Sequence, residues 1–194
     1  MALDVRASRP SPTERVIDEL FERLGSLGSQ RYGLEPVSQL EHALQCAHLA
    51  QSEGAHDDLI GAALLHDIGH LMQDDLHEAA PEDHAGVGAA LLSTWFGPAL
   101  VEPVSLHAQA KRYLVATEPT YYSGLSVASR RSLRWQGGAM TPKEAEAFCR
   151  HPYAKYALRL RVWDDRAKDR GAVVPRLNHY RALLERLLAG TRLA

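Results

Sequence analysis

The spacing of apolar residues along this chain predicts one helix after another. Apolar residues recur at the three- and four-residue intervals that place side chains on one helix face, first at Val16, Ile17, Leu20, Phe21 and Leu24. The alternating runs of β-branched residues that strands would require are absent from the sequence. The pattern therefore predicts an all-α fold.

Capping signals and glycines set the predicted boundaries. Residues 11–14, Ser-Pro-Thr-Glu, form a capping box that begins the first helix, and Gly25 is expected to end it. A second capping box, Thr-Pro-Lys-Glu, occupies residues 141–144. A loop is expected at 25–36, and short helix plus loop at 117–138. The remaining helices are predicted at about 37–53, 57–72, 82–96, 99–115, 153–168 and 177–189.

Length and composition indicate a single globular domain. The 194 residues, 45% of them hydrophobic and 24% charged, suit one well-buried core. We expect one domain over residues 1–194, with a core of about 14–188 and a flexible segment at 1–10. The net charge of -2 gives no reason to expect a nucleic-acid partner. No stretch of about twenty apolar residues predicts a membrane span, and nothing in the sequence indicates an oligomeric state.

The two cysteines favour a reducing compartment. Cys46 and Cys149 lie far apart, each in an apolar helical context, which suits buried reduced thiols better than a disulfide. The N-terminal residues lack the apolar core of a secretory signal. We therefore expect a cytoplasmic protein.

The most informative segment is residues 66–70, His-Asp-Ile-Gly-His. It follows the apolar run 59–65 without a turn signal, so it is predicted to lie on a buried helix. Ionisable groups are costly to bury unless they pair or bind a metal. Imidazole and carboxylate are ligands for iron, manganese and zinc. The segment therefore predicts part of a metal site.

Other predicted helices supply further candidate ligands, namely His42, His84, His107 and Asp164. Ligands that point inward from facing helices are the usual way in which a bundle builds a dinuclear site. Adjacent helical residues point about 100° apart, so His66 and Asp67 do not readily chelate one metal together. An Asp67 that bridges two metals resolves this geometry. Four histidines and two aspartates are too many for one tetrahedral zinc but suit two metals.

The order of these residues resembles the HD-domain superfamily, whose signature is H…HD…D. The match narrows to the PhnZ-type phosphonate oxygenases, which are mixed-valent diiron relatives of myo-inositol oxygenase that break carbon–phosphorus bonds. The resemblance spans about residues 14–188. It is carried by residues 39–45 (Gln-Leu-Glu-His-Ala-Leu-Gln), 62–70 (ending in His-Asp-Ile-Gly-His), 110–114 (Ala-Lys-Arg-Tyr-Leu), 135–138 (Trp-Gln-Gly-Gly) and 161–164 (Arg-Val-Trp-Asp).

The resemblance implies a role for each candidate ligand. One iron would be held by His42, His66, Asp67 and Asp164, and the other by Asp67, His84 and His107. The cofactors implied are two iron ions, as an Fe(II)/Fe(III) pair, with O₂ as co-substrate.

The resemblance also implies the residues that meet the substrate. Tyr32 would cover an open iron position until substrate arrives, and Glu35 would meet the cationic end of the substrate. A cation with neutral donors suits a phosphonate dianion, and the residues implied for this contact are His70, Lys111, Ser129 and Gln136. Tyr32, His70 and Lys111 are the implied catalytic residues. The glycines at 137 and 138 either admit the substrate to the backbone or form a turn.

The implied reaction is iron- and O₂-dependent cleavage of the carbon–phosphorus bond of a small-molecule phosphonate. A 1-hydroxy-2-aminoethylphosphonate, with the amine free or trimethylated, would give phosphate and glycine or glycine betaine. Two alternatives share the HD fold. One is a metal-dependent phosphohydrolase that acts on a nucleotide or phosphoester without O₂, and the other is a non-catalytic binding protein.

Overall fold

A computed structural model describes residues 11–29, 35–72 and 83–191 of this protein. The described ranges contain no β-strand, as the sequence predicts, and none of their helices combines the length and apolarity that a bilayer crossing requires. The segment 1–10, expected to be flexible, and Tyr32 lie outside these ranges. The helices are α1 (Pro12–Glu22), α2 (Gln39–Ser52), α3 (Asp57–Leu65), α4 (His84–Leu92), α5 (Pro98–Thr117), α6 (Tyr121–Gly124), α7 (Val127–Trp135), α8 (Pro142–Cys149), α9 (Ala154–Arg166) and α10 (Arg181–Thr191).

Helix α3 is the central element of the bundle. Its residues 59–65 are all buried, and it packs against α2, α5, α9 and α10. A helix that is apolar all round is stable only when other helices surround it. The main core extends from Leu20 of α1 to Leu184 of α10, and each buried leucine stabilises the fold by roughly 1.5–3 kcal/mol. The end of α3 therefore lies deep inside the protein.

Two predicted helix boundaries are wrong. The first helix does not end at Gly25 but continues as a π-helical turn, Arg23–Leu27, because Leu24 and Leu27 extend its apolar stripe onto the core. The continuous helix predicted over 57–72 is broken: α3 ends at Leu65, a turn follows, and Ile68–Met72 is a 3₁₀ helix. His66 and Asp67 therefore lie in a helix terminus rather than within a helix.

A backbone crossing explains this break. The 3₁₀ segment passes over α4 so closely that a Cβ on Gly69 would lie 2.0 Å from the carbonyl oxygen of His84 and 2.8 Å from the amide of Gly88. Only residues without a side chain permit such an approach. The crossing brings the start of α4, and with it His84, next to Asp67.

The cysteines differ in burial. Cys46 is buried, as expected, but Cys149 is exposed and the expectation of a second buried thiol is wrong. Phe148 takes the buried face at the end of α8, and the next residue points about 100° away from it.

Replacing Gly69 with alanine tests the backbone crossing. We expect Gly69→Ala to lower the free energy of unfolding by about 1–3 kcal/mol, because the methyl group would force α4 away from the 3₁₀ segment. Urea denaturation followed by circular dichroism measures this loss. Gly190→Ala is the matched control, since a Cβ there meets open space within α10 and alanine favours helix by up to about 1 kcal/mol. Equal midpoints for the wild type and Gly69→Ala would contradict the crossing.

Candidate metal centre

The terminus of α3 delivers two candidate ligands into the core. His66 is the C-cap residue of α3, and the Nδ1–H of its imidazole donates to the carbonyl of Ala63 at 3.0 Å. His66 has no exposed surface and Asp67 is 8% exposed. Such polar side chains are costly to bury without partners, so the groups that face them indicate what the site can bind.

One cluster forms around the Nε2 atom of His42 on α2. This atom lies 3.3 Å from Nε2 of His66, 3.4 Å from Oδ1 of Asp164 and 3.7 Å from Oδ2 of Asp67. Nε2 of His66 lies 3.4 Å from the same Oδ2. Two imidazole nitrogens and two carboxylate oxygens therefore converge on one small volume.

A second cluster lies on the other side of Asp67. Nε2 of His84, at the start of α4, and Nε2 of His107, in the middle of α5, are 3.0 Å apart. They lie 3.5 Å and 3.6 Å from Oδ1 of Asp67. The Asp67 carboxylate thus presents one oxygen to each cluster. The structure brings all six predicted ligands together, and their binding of metal stays a prediction.

The histidine tautomers fit a metal site. Three of the imidazoles donate through Nδ1–H to backbone carbonyls, which only accept, so in the neutral ring the Nε2 atoms carry lone pairs. Lone pairs about 3 Å apart repel each other unless a cation lies between them, and a carbonyl behind each ring is the usual support of a metal-binding histidine. The carbonyls belong to Ala167 behind His42 (2.8 Å), Ala63 behind His66 and Val104 behind His107 (2.7 Å).

The electrostatics suit cation binding. Burial raises the pKa of Asp67, but the facing His66 outweighs burial, and the pKa lies well below its usual range. Burial lowers the pKa of His107 to about 4 and that of His84 well below its usual value. Burial also lowers the pKa of His66. The charges of Asp67 and Asp164 raise it by more than burial lowers it, and the resulting pKa is about 9. Without metal a proton resides on His66, and a bound metal ion would replace that proton.

Arg161 positions one predicted ligand, Asp164, and was missed by the sequence reasoning. Its Nη1 donates to Oδ2 of Asp164 at 2.6 Å, which leaves Oδ1 facing the first cluster. Arg161 is buried and also bonds Asp165, whose carboxylate accepts from the Tyr121 hydroxyl. The signal in the sequence was an arginine three residues before a ligand, on the same helix face.

Cys46 and His70 lie beside the two clusters. Cys46 follows His42 by one turn of α2, and its sulfur lies 3.7 Å from the Nε2 of His42. Burial, followed by the charges of Asp164 and Asp67, raises the pKa of this thiol, so it stays protonated. His70, predicted to contact substrate, stacks on His84 with ring centroids 4.0 Å apart. One of its ring nitrogens lies within 4.8 Å of a carboxylate oxygen of Asp67. It is therefore placed to contact a metal ion or a molecule bound there.

A buried lysine lies next to this site. Lys111 follows His107 by one turn of α5, so both side chains project from the same helix face. Lys111 is buried, and its Nζ donates to Oγ of Ser132 on α7 at 2.7 Å. Burial, followed by the nearby Arg161 charge, lowers the pKa of Lys111 to about 7. No carboxylate within residues 11–29, 35–72 and 83–191 forms an ion pair with this ammonium, and such a buried cation is suited to receive an anion.

Helix α7 presents further polar groups on the face that carries Ser129 and Ser132. Gln136 caps its C-terminus, and the buried amide nitrogen and oxygen of Gln136 have no hydrogen-bond partner within the described part of the chain. Gly137 and Gly138 have φ values of 95° and 72°, and the Gly138 amide donates to the Leu133 carbonyl, which closes the helix. Of the two interpretations of these glycines, the structure shows the turn.

Glu35 is buried and already paired. Its Oε1 accepts from the Nζ of Lys168 at 2.8 Å and from the hydroxyl of Ser126 at 2.5 Å. Lys168, which follows α9, was not among the predicted site residues. Tyr32 lies outside the described residues, so its role stays a prediction.

Known proteins resemble this chain over most of its length. The HD domain family model matches residues 40–148, more than half of the chain. A protein of Gimesia maris named hydroxymethylphosphonate dioxygenase is 45% identical over 190 residues, which cover 95% of this chain and 94% of the relative. The [1-hydroxy-2-(trimethylamino)ethyl]phosphonate dioxygenase (glycine-betaine-forming) of Leisingera caerulea is 32% identical over 189 residues, 93% and 96% of the two chains. An uncharacterised protein of Acanthamoeba polyphaga mimivirus is 35% identical over 180 residues, 87% and 78%.

The likeness extends over nearly the full length of both dioxygenases, beyond the segment that carries the HD motif. The described fold is all-α, and the predicted HD fold and the predicted oxygenase class are both confirmed. This chain is therefore an enzyme of the HD-domain superfamily and, within it, a member of the PhnZ-type oxygenases.

Proposed function

We propose that this protein uses iron and O₂ to cleave the carbon–phosphorus bond of a 1-hydroxyalkylphosphonate, releasing phosphate and a carboxylic acid. Both named dioxygenase relatives carry a 1-hydroxyphosphonate in their names. We also propose that residues 14–188 form one catalytic domain.

The observation that carries the proposal is the division of the Asp67 carboxylate between two histidine pairs. One oxygen faces His42 and His66, and the other faces His84 and His107. A single metal could use only one of these groups, because the shared carboxylate separates them. Two metal ions are therefore the occupants that the donor set favours.

The irons would be held as the family resemblance implies, one by His42, His66, Asp67 and Asp164 and the other by Asp67, His84 and His107. When bound, an Fe(II)/Fe(III) pair supplies the redox chemistry that O₂ requires. Histidine and carboxylate ligands are suited to iron. The protein fixes their orientation through the carbonyls behind the rings and through Arg161 behind Asp164.

The phosphonate would bind between α5 and α7. Lys111 offers a buried ammonium, and Gln136 offers a buried amide without a partner in the described structure. The Ser129 hydroxyl, on the same helix as Gln136, accepts a hydrogen bond from Nη2 of Arg161 at 3.4 Å. A dianion favours the charged form of Lys111, so binding would keep the ammonium protonated at neutral pH. His70 is proposed to contact the substrate from the side of the α3 terminus. Tyr32, which lies outside the described residues, is proposed to cover the open iron position until substrate binds, as the family resemblance implies.

The reaction balances without a further reductant: R–CH(OH)–PO₃H₂ + O₂ gives R–COOH + H₃PO₄. The C–P bond and the C–H bond on the same carbon break, and O₂ takes up the four electrons that the substrate loses. Carbon and phosphorus each gain one oxygen. With a hydrogen as R the acid is formic acid, with an aminomethyl group it is glycine, and with a trimethylammoniomethyl group it is glycine betaine.

Oxygen dependence separates this proposal from phosphate-ester hydrolysis. We expect the iron-loaded protein to release phosphate from hydroxymethylphosphonate in air and to release none beyond the amount of residual O₂ in an anaerobic chamber. Colorimetric phosphate detection and an oxygen electrode should show consumption of one O₂ per phosphate. Equal rates with and without O₂ would instead indicate a hydrolase.

Metal analysis tests the shared carboxylate. The purified enzyme should hold about two irons per chain, since the donor set divides into two groups. Asp67→Ala removes an oxygen from both groups, so we expect it to lose most of both irons. His179→Ala is the control, because His179 is exposed and its imidazole contacts Gln51 and Tyr180, neither of which is a predicted ligand. One zinc per chain in the wild type, or two irons in Asp67→Ala, would contradict the proposal.

Replacing Lys111 with methionine tests the anion site. Its pKa of about 7 is below the value of 10.5 for a free lysine, so between these values the unfolded chain binds more protons and wild-type stability rises with pH. The free-energy cost of burying the charged Lys111 ammonium is therefore present in full below pH 7. Metal-free Lys111→Met should therefore exceed the wild type in stability by about 1–3 kcal/mol at pH 6 and by less at pH 9.

Urea denaturation at both pH values measures this difference. With iron bound, the same variant should lose about tenfold or more in kcat/KM for phosphonate, because a charge-assisted hydrogen bond is removed. Lys143→Met, at an exposed position of α8, should change neither property. An unaltered kcat/KM in Lys111→Met would place the phosphonate elsewhere.

A further inference from the structure

Helix α2 carries a thiol next to the first histidine cluster. Cys46 follows His42 by one turn of this helix, so the two side chains project from the same helix face. The Cys46 sulfur and one ring nitrogen each of His42 and His66 lie within 4.8 Å of one another, and all three residues are buried. The iron ligands that the family resemblance implies leave this thiol without a role.

The distances in this group are those of ligands on one zinc ion. Zinc binds histidine nitrogen at about 2.0–2.1 Å and thiolate sulfur at about 2.3 Å. At tetrahedral angles, two such nitrogens are about 3.4 Å apart, and a nitrogen and a sulfur are about 3.6 Å apart. From Nε2 of His42 the observed distances are 3.3 Å to Nε2 of His66 and 3.7 Å to the sulfur of Cys46. Both pairs therefore suit a tetrahedral ion.

Asp164 supplies a fourth ligand for such an ion. Its Oδ1 lies 3.4 Å from Nε2 of His42, while Arg161 holds its other oxygen. Zinc in closed protein sites is almost always four-coordinate. Two zinc ligands one helical turn apart are a known arrangement, and His42 and Cys46 have this spacing. Helix α2 thus provides half of the ligand set.

The ring orientations leave both nitrogens available to a metal ion. The carbonyl of Ala167 accepts from Nδ1 of His42 at 2.8 Å, and the carbonyl of Ala63 accepts from Nδ1 of His66 at 3.0 Å. The Nε2 atoms therefore face the Cys46 sulfur. When zinc binds, the S–H bond breaks, the sulfur electron pair forms the bond to zinc, and the proton passes to solvent. No electron is transferred, so the step needs neither an oxidant nor a reductant.

We propose that zinc binds at the first cluster through the thiolate of Cys46 and so competes with iron for this position. The ligands of the zinc ion are His42, Cys46, His66 and Asp164. The competition inactivates the enzyme, because zinc has no redox chemistry. The inactivation rests on the proposed function, whereas zinc binding does not.

Ligand chemistry explains why the thiol matters for zinc. Soft thiolate ligands favour zinc, and nitrogen and oxygen sites already bind zinc more tightly than ferrous iron. Cys46 adds a soft donor that only the competing ion uses. Metal supply, rather than affinity, then decides which ion the protein holds. The metal content of the purified enzyme therefore tests the proposed function, and zinc added to metal-free protein tests this site.

Cobalt(II) makes the thiolate visible. It accepts the same ligands as zinc, and a cobalt–thiolate bond gives an intense near-ultraviolet charge-transfer band that nitrogen and oxygen ligands do not give. The chain has two cysteines, Cys46 and Cys149. In metal-free Cys149→Ser the thiol of Cys46 is the only one left, so a band produced by cobalt must come from it. We expect this band, and we expect excess zinc to abolish it.

Replacing Cys46 measures its share of the affinity. We expect metal-free Cys46→Ser to lose the cobalt band and to bind zinc about tenfold or more weakly, since even an indirect partner of a metal ligand contributes about 10–100-fold. Competition with a chromophoric chelator measures the zinc affinity. Cys149→Ser is the matched control, because Cys149 is exposed at the end of α8. It should keep the wild-type affinity.

Iron release links the site to the enzyme. Iron-loaded protein is incubated with zinc, and the freed iron and the remaining activity are each compared with those of the same protein without zinc. The wild type and Cys149→Ser should lose iron and activity together. Cys46→Ser should require about tenfold or more zinc for the same iron release.

The inference is overturned if cobalt gives no thiolate band in Cys149→Ser. It is also overturned if Cys46→Ser is folded by circular dichroism and binds zinc as tightly as the wild type, which would make Cys46 a core thiol only. Should Cys46→Ser fail to fold, the band in Cys149→Ser still decides. Absence of phosphate release by the iron-loaded enzyme in air would reject the proposed function alone, because the cobalt and zinc titrations use neither iron nor substrate.

Discussion

The position of Asp67 is the constraint on which the rest of the structure depends. Its carboxylate must sit in the core with one oxygen toward each histidine pair, although a buried carboxylate is costly without cations nearby. This requires α3 to end at Leu65, so that the side chain of Asp67 projects beyond the helix. It also requires the close crossing at Gly69, which brings His84 within 3.5 Å of the carboxylate. The helices that pack around the apolar α3 hold this terminus in place.

Buried side chains of opposite charge surround this centre. Arg161 neutralises Asp164 and Lys168 neutralises Glu35, whereas Lys111 contacts a serine hydroxyl and pairs with no carboxylate in the described part of the chain. Paired charges are tolerated in a core, whereas a buried cation that none of the described carboxylates pairs with is a cost that folding alone does not explain. Such costs cluster at functional sites. The lowered pKa of Lys111 thus indicates where an anionic ligand would stabilise the protein.

Sequence reasoning selected the six candidate ligands that the structure brings together, because each carries its chemistry in its residue type and its place in a short motif. It missed Arg161 as the partner of Asp164, although the two are three residues apart, because a surface ion pair would give the same pattern. It also missed Lys168, which is 133 residues from Glu35 along the chain. Pairing over such a distance has no local signature, and only the packing of α9 against α2 brings the two together.

The sequence by itself determined the all-α fold, the family and the set of residues able to bind metal, because helical periodicity and ligand chemistry are local properties. The tertiary structure decided how those residues divide into two clusters on either side of the Asp67 carboxylate. It broke the predicted helix after Leu65, since the backbone crossing at Gly69 leaves no room for a continuous one. It also gave Glu35 an internal counter-cation, because burial makes the nearest ammonium in space, rather than in sequence, the partner of a carboxylate.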